Sequence, residues 1–284
     1  MISTEFYKGQ GFGNQLWVYA ATRSIAERLG HEFSIISHDR FKGSSFMNLN
    51  FGVDSTGIRR RKPEFATSKY LPNYLRERSL RDLASGFDIS GTDERFLNIP
   101  DGYLVDGIMQ SVDYIEGFKS QICEWFKTDY TYFDGCVINL RGGEYKGIKN
   151  VFLPKDYYFE AIRRMKQINP NMKFRVVTDD LELAKEYFPE MEHFSSGGVR
   201  IIAGRFYFSP SSQKIGEDFK MVQGARYLIL SNSSFSWWGA WSSRVVEHVV
   251  APKYWAAHNY PGNFWSTSKI EVDGWEWIER SSYS

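Results

Sequence analysis

The stretch from Leu228 to Trp241 constrains the fold of this chain more than any other. It opens with three apolar residues, 228–230, that have the composition of a buried strand. Small hydroxyl and amide side chains follow at 231–234, and then three Trp residues broken by Gly239-Ala240. We predict a strand that leads into a helix, with the polar residues at the carboxyl edge of an α/β sheet, where ligands and anions bind. The alternative is a Ser-rich helix cap followed by Trp side chains that pack in the core.

Composition narrows the class of protein. The 284 residues fit one large domain or two of about 140 residues each. A net charge of +1 gives no general reason to expect nucleic acid or an acidic membrane as partner. Two cysteines are too few for a disulfide framework and indicate a reducing compartment. We see no signal peptide and no run approaching the roughly 18 apolar residues of a membrane helix, so we expect a cytoplasmic protein. The aromatic content of 17% fits either a surface that stacks on sugars or bases or an aromatic core.

The N-terminal region reads as strand, glycine loop and helix. We predict a strand over 2–7, a loop at Gly9–Gln15, and a helix from Leu16 to Leu29 that ends at Gly30. Glycines let a ligand approach the backbone closely, and amide side chains at the helix start can donate hydrogen bonds. A nucleotide-binding loop is therefore one hypothesis, although the pattern is neither a P-loop nor a complete dinucleotide fingerprint. A purely structural loop is the other.

The middle of the chain is less patterned. The basic run Arg59–Lys62 is either a solvated face or a loop that meets an anionic acceptor. We predict a short charged helix over Arg76–Leu83, a strand over Tyr103–Gly107, and a helix from Gln110 to about residue 127. The polar stretch Asp129–Gly135 is the predicted domain boundary, which gives domains 1–130 and 131–284.

The second half alternates strands with helices, as in a doubly wound α/β domain. Predicted strands are 136–140, 174–178, 201–202, 228–230 and 249–251, and predicted helices are 155–167, 181–187, 216–224 and 240–247. The aromatic tail up to Trp277 is expected to fold back over the molecule.

Ligand-type residues follow three of these strands. Arg141 stands beside two glycines, where its planar fork can bind a diphosphate through paired charge-assisted bonds. Glu144 is a possible general base, or an ion-pair partner that orients Arg141. Asp179 can accept from ribose hydroxyls or a base edge, whereas Asp180 is expected to cap the next helix. No His/Cys/Asp cluster supports a metal site, so no metal ligands are predicted.

Several stretches, in the same order along the chain, resemble the α-1,2-fucosyltransferases of glycosyltransferase family 11. The family's Gly-Gly-Leu-Gly-Asn-Gln opening resembles Gly9–Ala20, and its Asn-Ser-Ser-Phe-Ser-Trp-Trp-Gly-Ala-Trp run matches the end of Glu217–Trp241. Its His-x-Arg-Arg-Gly-Asp-Tyr motif falls on Asn139–Tyr145 and keeps Arg141. Asn139, Gly142 and Glu144 replace the family His, second Arg and Asp. Three more segments are similar to the family pattern: Tyr103–Ser111, Thr178–Asp180 and Ala251–Trp255.

The resemblance implies a GT-B-like fold with two Rossmann-like doubly wound domains facing a cleft, the N-terminal one on the acceptor side. It implies an inverting transferase that needs no metal or cofactor and moves fucose from GDP-fucose to a glycan, with the 2-hydroxyl of a terminal galactose as the expected acceptor. Arg141 would hold the β-phosphate, Asp179 the guanosine, and Glu144 or else Asp106 would be the base. The expected donor-binding residues are Gly11, Gly13, Asn14, Gln15, Asn139, Arg141, Asp179, Asn232, Ser233, Ser234, Phe235 and Ser236.

Two alternatives remain open. One is a transferase of the same fold that uses another GDP-sugar, because Asn139 and Gly142 alter the donor motif. The other is a protein that binds carbohydrate or nucleotide without catalysis. If the acceptor is lipid-linked, we expect loose association with the inner face of a membrane.

Overall fold

The computed structural model describes residues 1–54, 73–78, 92–148, 151–197, 199–202, 204–208, 214–253 and 269–279. These residues form two compact units. The first holds residues 1–42, the described part of 48–122, and 269–270; the second holds 43–47, the described part of 123–253, and 271–279. The main change of unit, between Ile122 and Cys123, comes ahead of the predicted boundary at 130/131. The basic run at 59–62 and the end of the Ala251–Trp255 segment lie outside the described residues.

The first unit is built on a parallel sheet of short strands. Its strands are β1 (Ile2–Glu5), β2 (Phe33–Ile36), β3 (Tyr74–Arg76) and β4 (Leu104–Asp106), in the spatial order β2-β1-β4-β3. Helix α1 (Phe12–Leu29) connects β1 to β2, and α2 (Glu94–Leu97) and α3 (Lys119–Trp125) follow later. The side chains of α1 are buried along most of its length, because the helix packs against the sheet.

Three predictions for this unit need correction. Helix α1 begins at Phe12 rather than Leu16, so most of the expected glycine loop is helical and Gly11 is its N-cap. Arg76 ends strand β3, which pairs with β4, and does not begin a helix; residues 79–83 lie outside the described part of the chain. The helix expected from Gln110 is broken into a 3-10 turn and α3, because Gly117 adopts a left-handed φ of 82° between them.

The second unit is built on an eight-stranded sheet. The strands are β5 (Phe133–Leu140), β6 (Phe174–Thr178), β7 (His193–Ser196), β8 (Val199–Ile202), β9 (Arg205–Phe208), β10 (Ala225–Ile229), β11 (His248–Pro252) and β12 (Glu276–Ile278). Their spatial order is β12-β11-β10-β5-β6-β7-β8-β9, and all neighbouring pairs are parallel except β7–β8 and β8–β9. Chain order runs outward in both directions from the β10/β5 pair, which is the topological switch point of the sheet.

Helices cover both faces of this sheet. They are α4 (Lys155–Ile168), α5 (Leu181–Tyr187), α6 (Lys214–Gln223) and α7 (Ser234–Trp241). Alternate residues of β5 point to opposite faces: Ile138 lies in a core cluster with residues of α4 and α5, and Val137 in a cluster with residues of α6 and α7. The predicted fold class, α/β with two units built on mainly parallel sheets, is confirmed. The cleft stays a prediction.

The Trp-rich run lies inside a helix, as the core-packing alternative expects. Trp237, Trp238 and Trp241 are buried, and a Cβ on Gly239 would lie only 2.6 Å from Val222 of α6, so this glycine allows two helices to approach. The helix predicted over 240–247 is therefore wrong in position. Helix α7 ends at Trp241, and Ser242 is its C-cap, with a hydroxyl that donates to the Trp238 carbonyl (2.6 Å).

The described part of the aromatic tail extends the sheet. Strand β12 pairs in parallel with β11, and the ring of Trp275 lies 5.9 Å from that of Trp237. Residues 254–268 lie outside the described part of the chain.

Candidate functional site

The switch point of the second sheet gathers several of the predicted donor-binding residues. Asn139, near the end of β5, is buried and accepts a hydrogen bond from Ser231 (2.6 Å) beyond the end of β10. Its amide nitrogen donates to the Val177 carbonyl of β6 (3.4 Å). Asn139 therefore links the three neighbouring strands at their carboxyl ends. Both polar atoms of its side chain make hydrogen bonds within the edge of the sheet.

Arg141 lies at this edge between two carboxylates. Its guanidinium donates to Asp179 from one terminal nitrogen and to Glu144 Oε1 from the other, at 2.9 Å. It also lies over the Tyr145 ring, 4.7 Å from the ring centre. The other oxygen of Asp179 accepts from the backbone N–H of Gly142 (2.7 Å). Sequence reasoning placed Arg141, Glu144 and Asp179 near one another, and the structure brings them into direct contact.

Asp180 performs the capping role that the sequence predicts. Its carboxylate accepts from the Leu183 N–H at the start of α5 (3.0 Å) and pairs with the Lys146 ammonium at 2.5 Å. Burial opposes ionisation, but the Lys146 ammonium and the Leu183 amide outweigh it and hold the pKa of Asp180 below its usual range.

Gly142 fits tightly beside this cap. A Cβ there would lie 2.6 Å from the Cβ of Asp180 and 2.9 Å from Leu183 Cδ2. A side chain at this position requires the cap to move, so the second Arg of the family motif has no room in this arrangement.

The N-terminus of α7 supplies backbone donors at the same edge. Ser233 is the N-cap, so the backbone N–H groups of the first turn of α7 lie at this edge of the sheet. The Ser236 hydroxyl donates to the Ser233 carbonyl (3.2 Å), and Asn232 Nδ2 donates to the Val151 carbonyl (2.7 Å). The Phe235 ring packs on Phe219, with ring centres 5.6 Å apart. Of this segment, the backbone is better placed than the side chains to meet an anion.

A buried carboxylate at the start of the family-like segment Glu217–Trp241, to which the sequence analysis assigned no role, lies near the end of β7. Asp218 of α6 accepts from the Ser195 hydroxyl and from the Gly197 N–H, the latter at 2.7 Å. It fastens α6 to the strand end.

In the first unit, Gly13, Asn14 and Gln15 of the predicted glycine loop lie in the first turn of α1, and Gly11 is its N-cap. Gln15 is buried, and its side chain donates to the Arg40 carbonyl (2.9 Å) and accepts from the Lys42 N–H (3.0 Å). It therefore holds a neighbouring turn. Asn14 Oδ1 accepts from Gln110 Nε2 (2.9 Å). Gly13 is buried, whereas Gly11 is exposed.

Asp106, at the end of β4, lies between two phenols. Tyr7 donates to one carboxylate oxygen (2.7 Å) and Tyr74 to the other (2.5 Å), and Arg76 Nε lies 4.0 Å away. Burial and the adjacent Asp106 carboxylate raise the pKa of both phenols, so each stays a donor at neutral pH. The side chain of Asp106 is 15% exposed.

Sequence reasoning missed the buried acid beside this cluster. Glu77, directly after β3, accepts from the Tyr114 hydroxyl (2.9 Å) and from the Met109 N–H (2.8 Å), and Met109 has a positive φ of 51°. Burial raises the pKa of Glu77 to about 7. A Cβ on Gly107 would lie 2.4 Å from its carboxylate. Glu77 therefore fixes the loop that follows Asp106, and nothing in its sequence surroundings marks it as buried.

The described part of the chain contains no group of three or more His, Cys, Asp or Glu residues arranged to hold a metal ion. Its helices include none long and apolar enough to span a bilayer. Metal independence and cytoplasmic location stay predictions.

The chain is similar to known glycosyltransferases. Residues 137–279 match the family described as glycosyl transferase family 11. The chain is similar to an alpha-1,2-colitosyltransferase of Escherichia coli, with 34% identity over 127 residues that cover 42% of this chain and only 40% of that protein. It is also similar to the O-antigen biosynthesis glycosyltransferase WbnK of Escherichia coli, with 21% identity over 93% of this chain and 97% of that protein. Among solved structures, an alpha-1,6-fucosyltransferase, NodZ, soaked with GDP-fucose aligns with a TM-score of 0.49 at 12% identity, over 85% of this chain and 92% of that one.

The family match falls on one of the two candidate clusters. It includes Arg141, Asp179 and the segment 231–236, whereas Asp106 and the residues around it lie outside it.

Proposed function

Because the chain belongs to glycosyl transferase family 11 and is therefore a glycosyltransferase, we propose that it transfers fucose from GDP-fucose to the 2-hydroxyl of a terminal galactose. The observation that carries the proposal is the position of Arg141 at the switch point of the second sheet, directly after β5 and next to strand β10, which leads into α7. Open α/β sheets bind nucleotides at this place. The reaction inverts the fucose anomeric carbon and uses no metal.

The departing GDP carries the charge that such a site must neutralise. Without a metal, that charge falls to Arg141 and to the backbone N–H groups at the start of α7. An Arg fork pairs with two phosphate oxygens at once, and helix-start amides add donors that cost no reorganisation. Both features lie at one edge of one sheet, which supports this half of the mechanism.

Asp179 orients Arg141 in this scheme. The sequence-based role for Asp179 was to hold the guanosine, but its two oxygens accept from Arg141 and from the Gly142 N–H. These two bonds fix the guanidinium relative to the strand end, as expected of a positioning residue.

Asp106 is the better candidate for the general base. Glu144 pairs with Arg141, on the side of the leaving group, where a base for the acceptor hydroxyl has no function. Asp106 is partly accessible, and each carboxylate oxygen keeps a lone pair after accepting from its phenol. We propose that Asp106 accepts the acceptor proton as the hydroxyl oxygen attacks the anomeric carbon and the bond to GDP breaks.

Colitose is a second candidate for the transferred sugar. It is fucose without the 3-hydroxyl, and the relative named for its transfer is 34% identical to part of this chain. Asn139 replaces the family His, and its side chain makes hydrogen bonds to Ser231 and Val177. This change in the donor motif supports a changed donor preference.

The test is GDP release from GDP-fucose and from GDP-colitose, each with and without a panel of galactosides, in buffer containing EDTA. The proposal expects release from GDP-fucose that depends on a β-galactoside and persists in EDTA, with an α-1,2 linkage in the product. If the protein turns over GDP-colitose faster than GDP-fucose, colitose is the transferred sugar and the proposed mechanism is unchanged. Loss of activity in EDTA that returns with a divalent ion would contradict the metal-free scheme.

A further inference from the structure

The two carboxylates on Arg141 are held very differently. Asp179 has a second bond, from the Gly142 N–H, and its side chain is 30% exposed. Glu144 lies on a short 3-10 turn at 143–147 with a side chain that is 73% exposed. Its bond to Arg141 is 2.9 Å long and spans three residues. Asp179 is therefore part of the sheet edge, whereas Glu144 can leave Arg141 by rotating its side chain into solvent.

We propose that Glu144 is a displaceable counter-ion that occupies, in the free protein, the edge of Arg141 which a nucleoside diphosphate takes on binding. The inference rests on the proposed function, which makes Arg141 the ligand of the donor diphosphate. A phosphate group and a carboxylate recognise the guanidinium edge through the same paired N–H donors, so the two anions compete for it.

Replacing Glu144 by a diphosphate costs little free energy because the ion pair is exposed. An exposed ion pair changes an equilibrium constant by a factor of about five at most, so Glu144 weakens diphosphate binding without preventing it. Once displaced, its charge still lies near the diphosphate and repels it, and dissolved salt screens that repulsion. Both effects weaken the binding of GDP, the product, and so favour its release after transfer.

Side-chain length determines how well the counter-ion reaches Arg141. Glu144 stands where the family motif has Asp, and its extra methylene group lengthens the reach of the carboxylate. The Glu144→Asp variant keeps the charge but shortens that reach, so it separates the direct bond from general repulsion. Glu144→Gln removes the charge and keeps the size.

The experiment is titration of GDP into the full chain by calorimetry at low and high salt. The set is wild type, Glu144→Gln, Glu144→Asp and the control Glu190→Gln, which removes an exposed charge ahead of β7, at the opposite edge of the sheet. We expect Glu144→Gln to tighten GDP binding about three- to tenfold at low salt and less at high salt. Glu144→Asp should lie between it and wild type, and Glu190→Gln within twofold of wild type. The inhibition constant of GDP in the transfer assay should fall in parallel.

Each contrary result has a distinct meaning. If wild type binds GDP and Glu144→Gln binds it equally or more weakly, the counter-ion role is wrong and the proposed function stands. A fall in kcat of about 10² or more in Glu144→Gln would also overturn the inference, because it would make Glu144 the base. If wild type does not bind GDP, the proposed function and the inference both fail.

Discussion

The carboxyl edges of the two sheets present opposite chemistry. In the second unit, Arg141 lies between two carboxylates in a charged, partly exposed cluster. In the first unit, Asp106 lies between two phenols that remain protonated, and a buried acid fixes the loop beside it. The first arrangement suits a mobile anion and the second a neutral polyol that exchanges hydrogen bonds.

The family match falls on the charged edge alone. Residues 137–279 include the whole Arg141 cluster and none of the Asp106 cluster. In the proposed mechanism, the residues assigned to the donor therefore lie within the family match, whereas the assignment of Asp106 to the acceptor depends on the local geometry of the first unit. Four experiments test this division.

Loss of Arg141 should have the largest effect. Arg141→Ala removes the main positive charge at the donor edge, and we expect turnover to fall about 10³-fold with the fold intact. Arg163→Ala, an equal charge loss on the exposed side of α4, should leave turnover unchanged. Transfer rates and circular dichroism measure the two outcomes. Turnover of Arg141→Ala within tenfold of wild type would remove the basis for the donor site.

Titration of Glu77 should appear as a pH dependence of stability. Its pKa is about 7 in the folded protein against an ordinary value of 4.5, so the native state keeps a proton that the unfolded chain releases between these pH values. Stability should therefore fall as pH rises from about 4.5 to 7, by about 3 kcal/mol in total, and level off above that. Glu77→Gln stays neutral, so it should lose this part of the pH dependence. Denaturant unfolding at pH 5 and pH 8 gives the two free energies of unfolding whose difference measures that slope. An unchanged slope in the variant would show that Glu77 is ionised in the folded state.

Substitution of Asp106 should separate catalysis from donor binding. Asp106→Asn keeps the shape but accepts no proton, so we expect kcat to fall about 10²-fold while GDP affinity stays within twofold. Asp101→Asn, in the same unit and at an exposed position, is the control. Steady-state kinetics and calorimetry give both numbers. If GDP affinity falls as much as kcat, the division between the two edges is wrong.

Substitution of two glycines by Ala, one at each sheet edge, should have the smallest effects. Gly142→Ala places a Cβ 2.6 Å from Asp180, so we expect a loss of about 1–3 kcal/mol in stability and weaker GDP binding. Gly11→Ala meets nothing within 4 Å and should leave stability within about 1 kcal/mol. Thermal unfolding and transfer rates should be measured together. Reduced transfer by Gly11→Ala at normal stability would indicate that a substrate approaches Gly11 closely. Normal transfer would remove Gly11 from the donor site.

Local signals account for the parts of the fold that the sequence predicted well. The strand Phe174–Thr178, the Asp180 cap and the helix Leu181–Tyr187 follow one another with the predicted bounds, because the strand pattern, the cap and the helix all lie within 14 residues. Strand β3 was missed because its three residues are identified only by pairing with β4. Helix α7 was displaced because Ser234 and Ser236 read as loop residues, although both belong to its first turn.

In the candidate site too, local sequence signals predicted the positions of residues but not their long-range contacts. Sequence order alone placed Arg141, Glu144 and Asp179 after strands, and parallel neighbours bring such positions together. What each side chain does there depends on partners distant in sequence. Asp179 meets Arg141 across 38 positions, and Glu77 meets Tyr114 across 37. No single-chain pattern marks such pairs in advance.

The tether of Asp179 to the strand end has one more consequence. A carboxylate fixed in the chain keeps one terminal nitrogen of Arg141 occupied and its charge partly neutralised, whatever the composition of the surrounding solution. A small anion that offers only one contact, such as free phosphate, therefore gains little from Arg141. A ligand that adds contacts elsewhere along the edge, as a nucleotide does, offsets that loss. The fixed carboxylate thus discriminates between ligands by their size rather than by their charge.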